Sequence, residues 1–439
     1  MADHSLAKLH QEHVLKVQAY AEQCMGESNY EQLVVYSGQL QMYFADDQAA
    51  PFRPIPYFAY WCPDRNPNHA LIIQPGHRPI LCFFAPDDFW HEPAKLDEPY
   101  WLESFDVRVI NSKDALKDHI DATVTTAFIG DLPVELSEIK MDLNPEKLVT
   151  MFDWGRSFKS AYEIHCLSEA QRLGALAHQA AKKAFFDGES ELGIYRQFLH
   201  SIDALEADLP YGAIIALNEK GAFLHYEDKR RGKNGQVLLI DAGARFEAYG
   251  SDITRTYATS DTPQTFRDLI AGVDRLQQEL CDMVKPGTTV GELHHASHVK
   301  IAQLLLDCGV LKNVSVDEAI EVGLTRAFYP HGIGHLLGIQ VHDVAGQICD
   351  RLGTPSEPHP RHPKLRTTRM LEPGMVITVE PGIYFIDMLL KPLRKGEFKS
   401  KIDWDLVAQL VPCGGIRIED DVLVVDSGHR NLTREYLPL

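Results

Sequence analysis

The chain lacks paired cysteines. Cys24, Cys62, Cys82, Cys166, Cys281, Cys308, Cys349 and Cys413 are scattered over 439 residues and no two form a CxxC pair. That excludes a zinc knuckle and a disulfide framework, and unpaired thiols in a chain of this size fit a reducing cytoplasm. Long apolar runs are missing too. VLLI, MVITV and AIIAL fall far short of the ~20 residues a membrane span needs. The opening MADHSLAKLHQEH is polar, so no signal peptide is expected. Positive charge is in deficit: 43 Lys and Arg stand against 62 Asp and Glu, a net charge of −19. An acidic surface argues against nucleic acid and anionic membranes as partners. There is no short fixed-period repeat and no low-complexity tract.

What remains is an ordinary globular composition, 45% apolar and 24% charged, at a length natural for two domains. The expected fold class is α/β (α+β), with a first domain over 1–158 and a second over 159–439. In the first, residues 4–25 read as a helix and Leu33 to Tyr36 as a strand. Ala70 to Gln74 and Ile80 to Phe84 flank a Pro-Gly turn and read as a hairpin. Val107 to Ile110 and Ala127 to Ile129 supply further strands. Pro51 to Pro67 is dense in proline and aromatics, which predicts a long ordered loop. In the second, Leu173, Leu176, Ala177, Ala180 and Ala184 recur at helical spacing until Asp187-Gly188 ends the pattern. Leu192, Tyr195, Leu199 and Ile202 mark another helix. Strands are expected at Val237 to Asp241 and Asp252 to Tyr257. A helix from Pro263 to Pro286-Gly287 follows, then one opened by a capping box, Thr289 and Glu292. Met375 to Glu380 and Ile416 to Val425 are strand-like.

Five potential metal ligands lie on or beside these strands. Asp241 ends VLLID, and Asp252 in SDITRTY follows it by 11 residues. A strand, a turn and a return strand can aim both carboxylates at one point. His335 lies in HGIGHLLGIQVHD, Glu380 ends MVITVE and Glu419 sits in GGIRIEDD. Taken singly each is weak: an Asp at a strand end is ordinarily a turn residue, and HGxGH can be a glycine-rich turn. Together, four carboxylates and one imidazole are hard-to-borderline ligands. They suit a pair of Mn2+ ions, with Co2+, Fe2+ or Zn2+ as alternatives. Four buried carboxylates without cations would repel one another and lose solvation. Two dications balance them, activate a water and polarise a carbonyl.

The ordered set DAG, SDITRTY, HGIGHLLGIQVHD, VEPGIYF and GGIRIEDD resembles the metallopeptidases of the pita-bread fold. Within them it resembles the prolidases of the bacterial type also described as organophosphorus acid anhydrolases. PFR and DFWH in the first 100 residues extend the likeness over nearly the whole chain. The resemblance implies an N-terminal α/β domain, a C-terminal pita-bread catalytic domain, a cytoplasmic homodimer and two metal ions per subunit. It implies hydrolysis of Xaa-Pro dipeptides, with aminopeptidase P-like release of a residue before proline from longer peptides as the rival. A non-metal binding protein or a creatinase-like enzyme on the same fold is disfavoured by the intact ligand set. Organophosphorus triesters and fluorophosphates are implied side substrates.

Carried over by position, Asp241 binds one metal, His335 and Glu380 the second, and Asp252 and Glu419 bridge. Glu380 also matches the proton shuttle. His342 matches the group that donates to the oxyanion, and His225 matches another active-site histidine. His331, Tyr211, Arg366 and Arg417 match substrate-side residues. A guanidinium suits the free carboxylate of a dipeptide, although a salt bridge supporting a ligand is the plainer role for Arg417. It lies two residues before Glu419, so in a strand both face the same side. In the first domain, Asp46, Asp47 and Trp90 match a region that reaches the partner's site in the resembling enzymes. There an acidic group would bind the substrate amino terminus.

Overall fold

A computed structural model of the chain describes residues 2–438 apart from Pro93 and Asn234. It resolves into two compact units: one reaches His165 and includes Asp350–Thr354, and the other holds Cys166–Cys349 and everything from Pro355 on.

The first unit is built on a six-stranded mixed sheet. Its strands are β1 (Gln32–Tyr36), β2 (Ala70–Ile73), β3 (Ile80–Phe84), β4 (Asp106–Ile110), β5 (Thr126–Ile129) and β6 (Asp142–Leu143), in the order β4-β3-β2-β1-β5-β6. β2 and β3 form the antiparallel hairpin that the Pro-Gly turn suggested. The central strands read as unbroken apolar runs because both faces are covered. Leu33, Val35, Leu71 and Ile73 enter one core, while Val34, Tyr36, Ala70 and Ile72 enter the other. The helix Ala2–Ser28 lays Val14, Val17, Ala21 and Met25 on the first of these cores. The expected loop over 51–67 contains one turn of helix, Pro56–Ala59, with proline in its first turn. No backbone N–H is needed there, so proline starts a helix instead of preventing one.

The second unit begins within the helix Ala161–Phe186 and continues with Glu191–Ser201. Three strands follow, β7 (Ile214–Leu217), β8 (Val237–Asp241) and, after the short hairpin of β9 (Arg245–Phe246) and β10 (Tyr249–Gly250), β11 (Thr254–Ala258). They form an antiparallel sheet with β8 central. The helices Gln264–Cys281 and Val290–Asp307 come next, and the second is closed by the reciprocal Thr289–Glu292 box. The last strands are β12 (Val376–Val379), β13 (Gly382–Tyr384), β14 (Gly415–Arg417), β15 (Asp420–Val425) and β16 (Gly428–Asn431). The stretch Ile416 to Val425 is thus two strands, not one. β14 pairs with β13, whereas β15 pairs with β12 and β16. Between them the backbone changes partner: Glu419 N donates to Thr254 O at 3.0 Å, and Arg255 Nη1 donates to Glu419 O at 2.8 Å. Among the described residues no helix is long and apolar enough to cross a membrane.

Candidate active site

β8 and β11 bring the first two carboxylates together. Asp241 is the last residue of β8 and pairs with Thr254, so Asp252 lies just ahead of β11 on the returning chain. The approach depends on Gly243 of the Asp-Ala-Gly turn, where a Cβ would lie 1.9 Å from Ser251 O. Gly334 plays the same part for His335. A Cβ there would be 2.0 Å from Thr378 O, and the close contact lets Thr378 N donate to His335 O at 2.9 Å. The HGIGH segment is thereby held against β12, and Glu380 follows that strand directly, its N–H donating to Ile333 O at 2.8 Å. Glu419 arrives through the partner change between β14 and β15.

The five side chains converge. One ligand atom each from Asp252, His335 and Glu419 lies within 4.8 Å of the other two. His335 Nε2 is 3.4 Å from Asp252 Oδ2 and 3.9 Å from Glu380 Oε1. His335 Nδ1 meets Leu336 O at 3.0 Å. A ring N–H donated to that carbonyl leaves the lone pair of Nε2 facing the carboxylates, the usual arrangement of a metal-bound histidine. Asp241 Oδ2 accepts from Arg417 Nη2 at 2.6 Å, while its Oδ1 is buried with no partner among the described residues. An orphaned carboxylate oxygen beside a second carboxylate is costly unless a cation takes it. The donor set, four carboxylates and an imidazole, therefore fits divalent cations.

The electrostatics agree. Burial pushes Glu380 up to about 7, partly countered by His335 and Arg417, and Asp252 and Asp241 add to the rise. Burial, with Asp252, Glu380 and Asp241 nearby, drives Glu419 well above the carboxylate range. Burial also raises Asp241, against the pull of Arg417. Burial works against charge on Asp252 as well, but the hydrogen bond and charge of His335 outweigh it and hold this carboxyl below its usual value.

A cleft of about 440 Å³ opens over these groups. His225, His331, His342, Arg366 and Arg417 line it together with Lys364, and so do four of the ligands' carboxylates and His335. His342 packs its ring edge-to-face on His335 with centroids 4.5 Å apart, and burial lowers its pKa to about 4. It is neutral at pH 7 and keeps one N–H to donate. Arg366 is exposed at the cleft, with no hydrogen-bond or ion-pair partner among the described residues. Arg417 is buried and fully engaged: Nε donates to Thr254 Oγ1, Nη1 to Tyr384 OH and Nη2 to Asp241. His331 is tied at both nitrogens, Nδ1 to Gly332 O and Nε2 to Tyr384 OH, each at 2.8 Å. Tyr211 donates to Asp252 Oδ1 at 2.6 Å. Asp46, Asp47 and Trp90 are exposed on loops of the first unit.

Several groups that orient the candidate ligands escaped the sequence reading. Thr254 Oγ1 donates to Glu419 Oε2 at 2.6 Å, and Asp421 Oδ2 accepts from Asp252 N at 2.8 Å and from Gln171. Tyr384 OH joins Arg417 to His331. Only Asp421 left a legible trace, the unusual acidic run Glu419-Asp420-Asp421 inside an apolar stretch.

Comparison with known proteins agrees with this geometry. The profile described as metallopeptidase family M24 matches residues 165–426, and that of the Xaa-Pro dipeptidase N-terminal domain matches residues 8–154. A Xaa-Pro dipeptidase of Shewanella amazonensis is 40% identical over 437 residues, 98% of this chain and 99% of the relative. One from Marinobacter nauticus is 41% identical over 439 residues, 99% of this chain and 100% of the relative. Among solved structures, zinc-substituted E. coli aminopeptidase P in complex with product superposes with a TM-score of 0.73 at 23% identity, covering 97% of this chain and 95% of that one. That likeness is one of fold.

Proposed function

The chain belongs to metallopeptidase family M24, a family of hydrolases with the pita-bread catalytic fold, and from that premise we propose that it is a Xaa-Pro dipeptidase. The observation that carries the proposal is the convergence of five ligands, one with a bare buried oxygen, beneath a cleft rimmed by the unpartnered guanidinium of Arg366. The match of residues 8–154 to the dipeptidase N-terminal domain favours dipeptides over longer peptides.

In this reading Asp241, Asp252, His335, Glu380 and Glu419 hold two divalent cations, Mn2+ first among them. Bound there, the cations would acidify the attacking water and polarise the scissile carbonyl of Xaa. Glu380 accepts the proton of that water and passes it to the proline nitrogen as the C–N bond breaks. The transfer matters because the scissile amide is tertiary and its nitrogen carries no proton of its own. His342 donates to the oxyanion as the carbonyl carbon becomes tetrahedral. Arg366 binds the substrate carboxylate, while Arg417 braces Asp241 and, with His331, forms one wall that Tyr384 supports from behind. His225 lines the cleft as well. Tyr211 orients Asp252. We further propose that the protein works as a cytoplasmic homodimer in which Asp47 and Trp90 help close the partner's site on the substrate amino terminus. The same centre should accept fluorophosphate triesters, whose leaving group needs little protonation.

The test is a metal-titrated assay of Xaa-Pro dipeptides beside Xaa-Pro-containing tripeptides. Chelation should abolish dipeptide cleavage, and Mn2+ should restore it better than Mg2+. Equal turnover of tripeptides would assign aminopeptidase P-like specificity instead, and full activity in verified metal-free protein would sink the two-metal reading.

A further inference from the structure

Behind His331 the fold assembles a second group of histidines that the peptidase reading does not use. His294 and His298 stand one turn apart on the helix Val290–Asp307, the spacing that stacks two side chains on one face. His362 comes from the loop that goes on to carry Lys364 and Arg366. One nitrogen from each of the three lies within 4.8 Å of the other two. His294 Nε2 and His362 Nδ1 are 2.9 Å apart.

One hydrogen bond links the group, between His294 Nε2 and His362 Nδ1, but it does not account for the buried ring nitrogens left over. A neutral imidazole has one donor and one acceptor. His298 Nδ1 is satisfied by Thr325 Oγ1 at 2.9 Å, but its Nε2 is buried with no partner among the described residues. His294 Nδ1 is likewise buried and unpartnered. Both residues are nearly inaccessible, at 3% and 1% exposure. An orphaned ring nitrogen whose opposite nitrogen is held by a hydroxyl is the condition of a histidine ready to bind metal. Burial lowers His294 to about 3 and His298 to about 2, and it lowers His362 as well. All three are therefore neutral ligands near pH 7.

We propose that His294, His298 and His362 form an additional cation site, separate from the carboxylate-rich centre and selective for Zn2+ over Mn2+. Three imidazoles without a carboxylate suit zinc, whereas manganese prefers oxygen donors. Zinc holds histidine nitrogens at about 2.0–2.1 Å and keeps a fourth position. His294 and His362 line a cavity of about 230 Å³ with room for such a ligand. Arg326, Arg361 and Lys364 line the same cavity. Their charges oppose a bare dication, so an anion such as chloride completes the coordination and the affinity is moderate. Zinc binding ties the loop at His362 to the helix, two residues from Lys364 and four from Arg366, and so orders the segment that offers the cleft its free cations.

The experiment uses the full chain loaded with Mn2+, dialysed against micromolar Zn2+ in chloride buffer, with both metals counted per chain. Zinc can also exchange for manganese at the carboxylate centre, so total metal is the readout, and it should rise by one ion per chain. His298→Gln and His362→Gln should each weaken that extra uptake by at least the roughly 10–100-fold that loss of even an outer-shell partner costs, with the metal content of the carboxylate centre unchanged. His362 is only partly buried, so its variant stays a test even where His298→Gln folds poorly. A total metal content that does not rise, or undiminished extra uptake by both variants, overturns the site.

Discussion

Loading the catalytic centre with metal should release protons, and Glu380 should supply one of them below neutral pH. Its carboxyl is raised from 4.5 to about 7 by burial, against His335 and Arg417, in the protein without metal. At pH 6 such a group is roughly 90% protonated, and at pH 8 roughly 10%. A ligand must be ionised, so binding expels about 0.9 proton from Glu380 at pH 6 and about 0.1 at pH 8. Each proton released weakens apparent metal affinity about tenfold per pH unit, or ~1.4 kcal/mol. The sign for folding is opposite in the metal-free protein. A carboxyl raised in the folded state contributes stability that is fully present below about 4.5 and disappears as pH rises through about 7. The rise of about 2.5 units corresponds to a loss of about 3 kcal/mol across that window. The assay is calorimetric titration of metal-free protein with Mn2+ at pH 6 in two buffers of different ionisation enthalpy, which counts the protons. His335, raised by Asp252 and Glu380 against its burial, and Glu419 and Asp241, raised by burial, contribute to the same count, so the decisive comparison is with Glu380→Gln. The variant should release close to one proton fewer at pH 6 and nearly the same number at pH 8. Equal release by both proteins at pH 6 would refute the argument.

Three further outcomes separate the roles of the cleft residues. Arg366→Ala should raise KM strongly for Xaa-Pro dipeptides and far less for a substrate whose carboxylate is blocked; equal losses would make the residue structural. His342→Ala should retain both metals and lower kcat by roughly 10²-fold, the low end for losing an oxyanion donor, and metal content measured beside kcat decides. Loss of a metal would mean that His342 is itself a ligand. Asp252→Asn should lose dipeptidase and fluorophosphate hydrolysis together, and a variant that keeps only the second would show that the two activities use different centres.

The sequence alone determined the local elements and singled out five candidate ligands. The Thr289–Glu292 capping box, the Pro-Gly hairpin and the helix that ends at Asp187-Gly188 are short-range features. Their hydrogen bonds and φ/ψ limits are satisfied within a few residues, so they can be read before any tertiary contact exists. Asp241 and Asp252 could be paired from the spacing of one strand and its return. The tertiary structure decided what lies between elements distant in the chain. The run from Ile416 to Val425 has strand composition throughout, and nothing local marks that its backbone leaves β13 for β12 at Glu419. That change of partner depends on Thr254 and Arg255, more than 160 residues away. Arg417 and Arg366 look alike in sequence, yet one is buried against Asp241 and Tyr384 and the other stands open at the cleft. Tyr384, Asp421 and Thr254 became visible as supports for the ligands only once three strand pairs had been closed. The His294, His298 and His362 group has the same origin, since a helix and a loop 64 residues apart must dock before its nitrogens meet. Local propensity has no access to such pairings, because the contacts that select them are made by packing and burial across the whole catalytic unit.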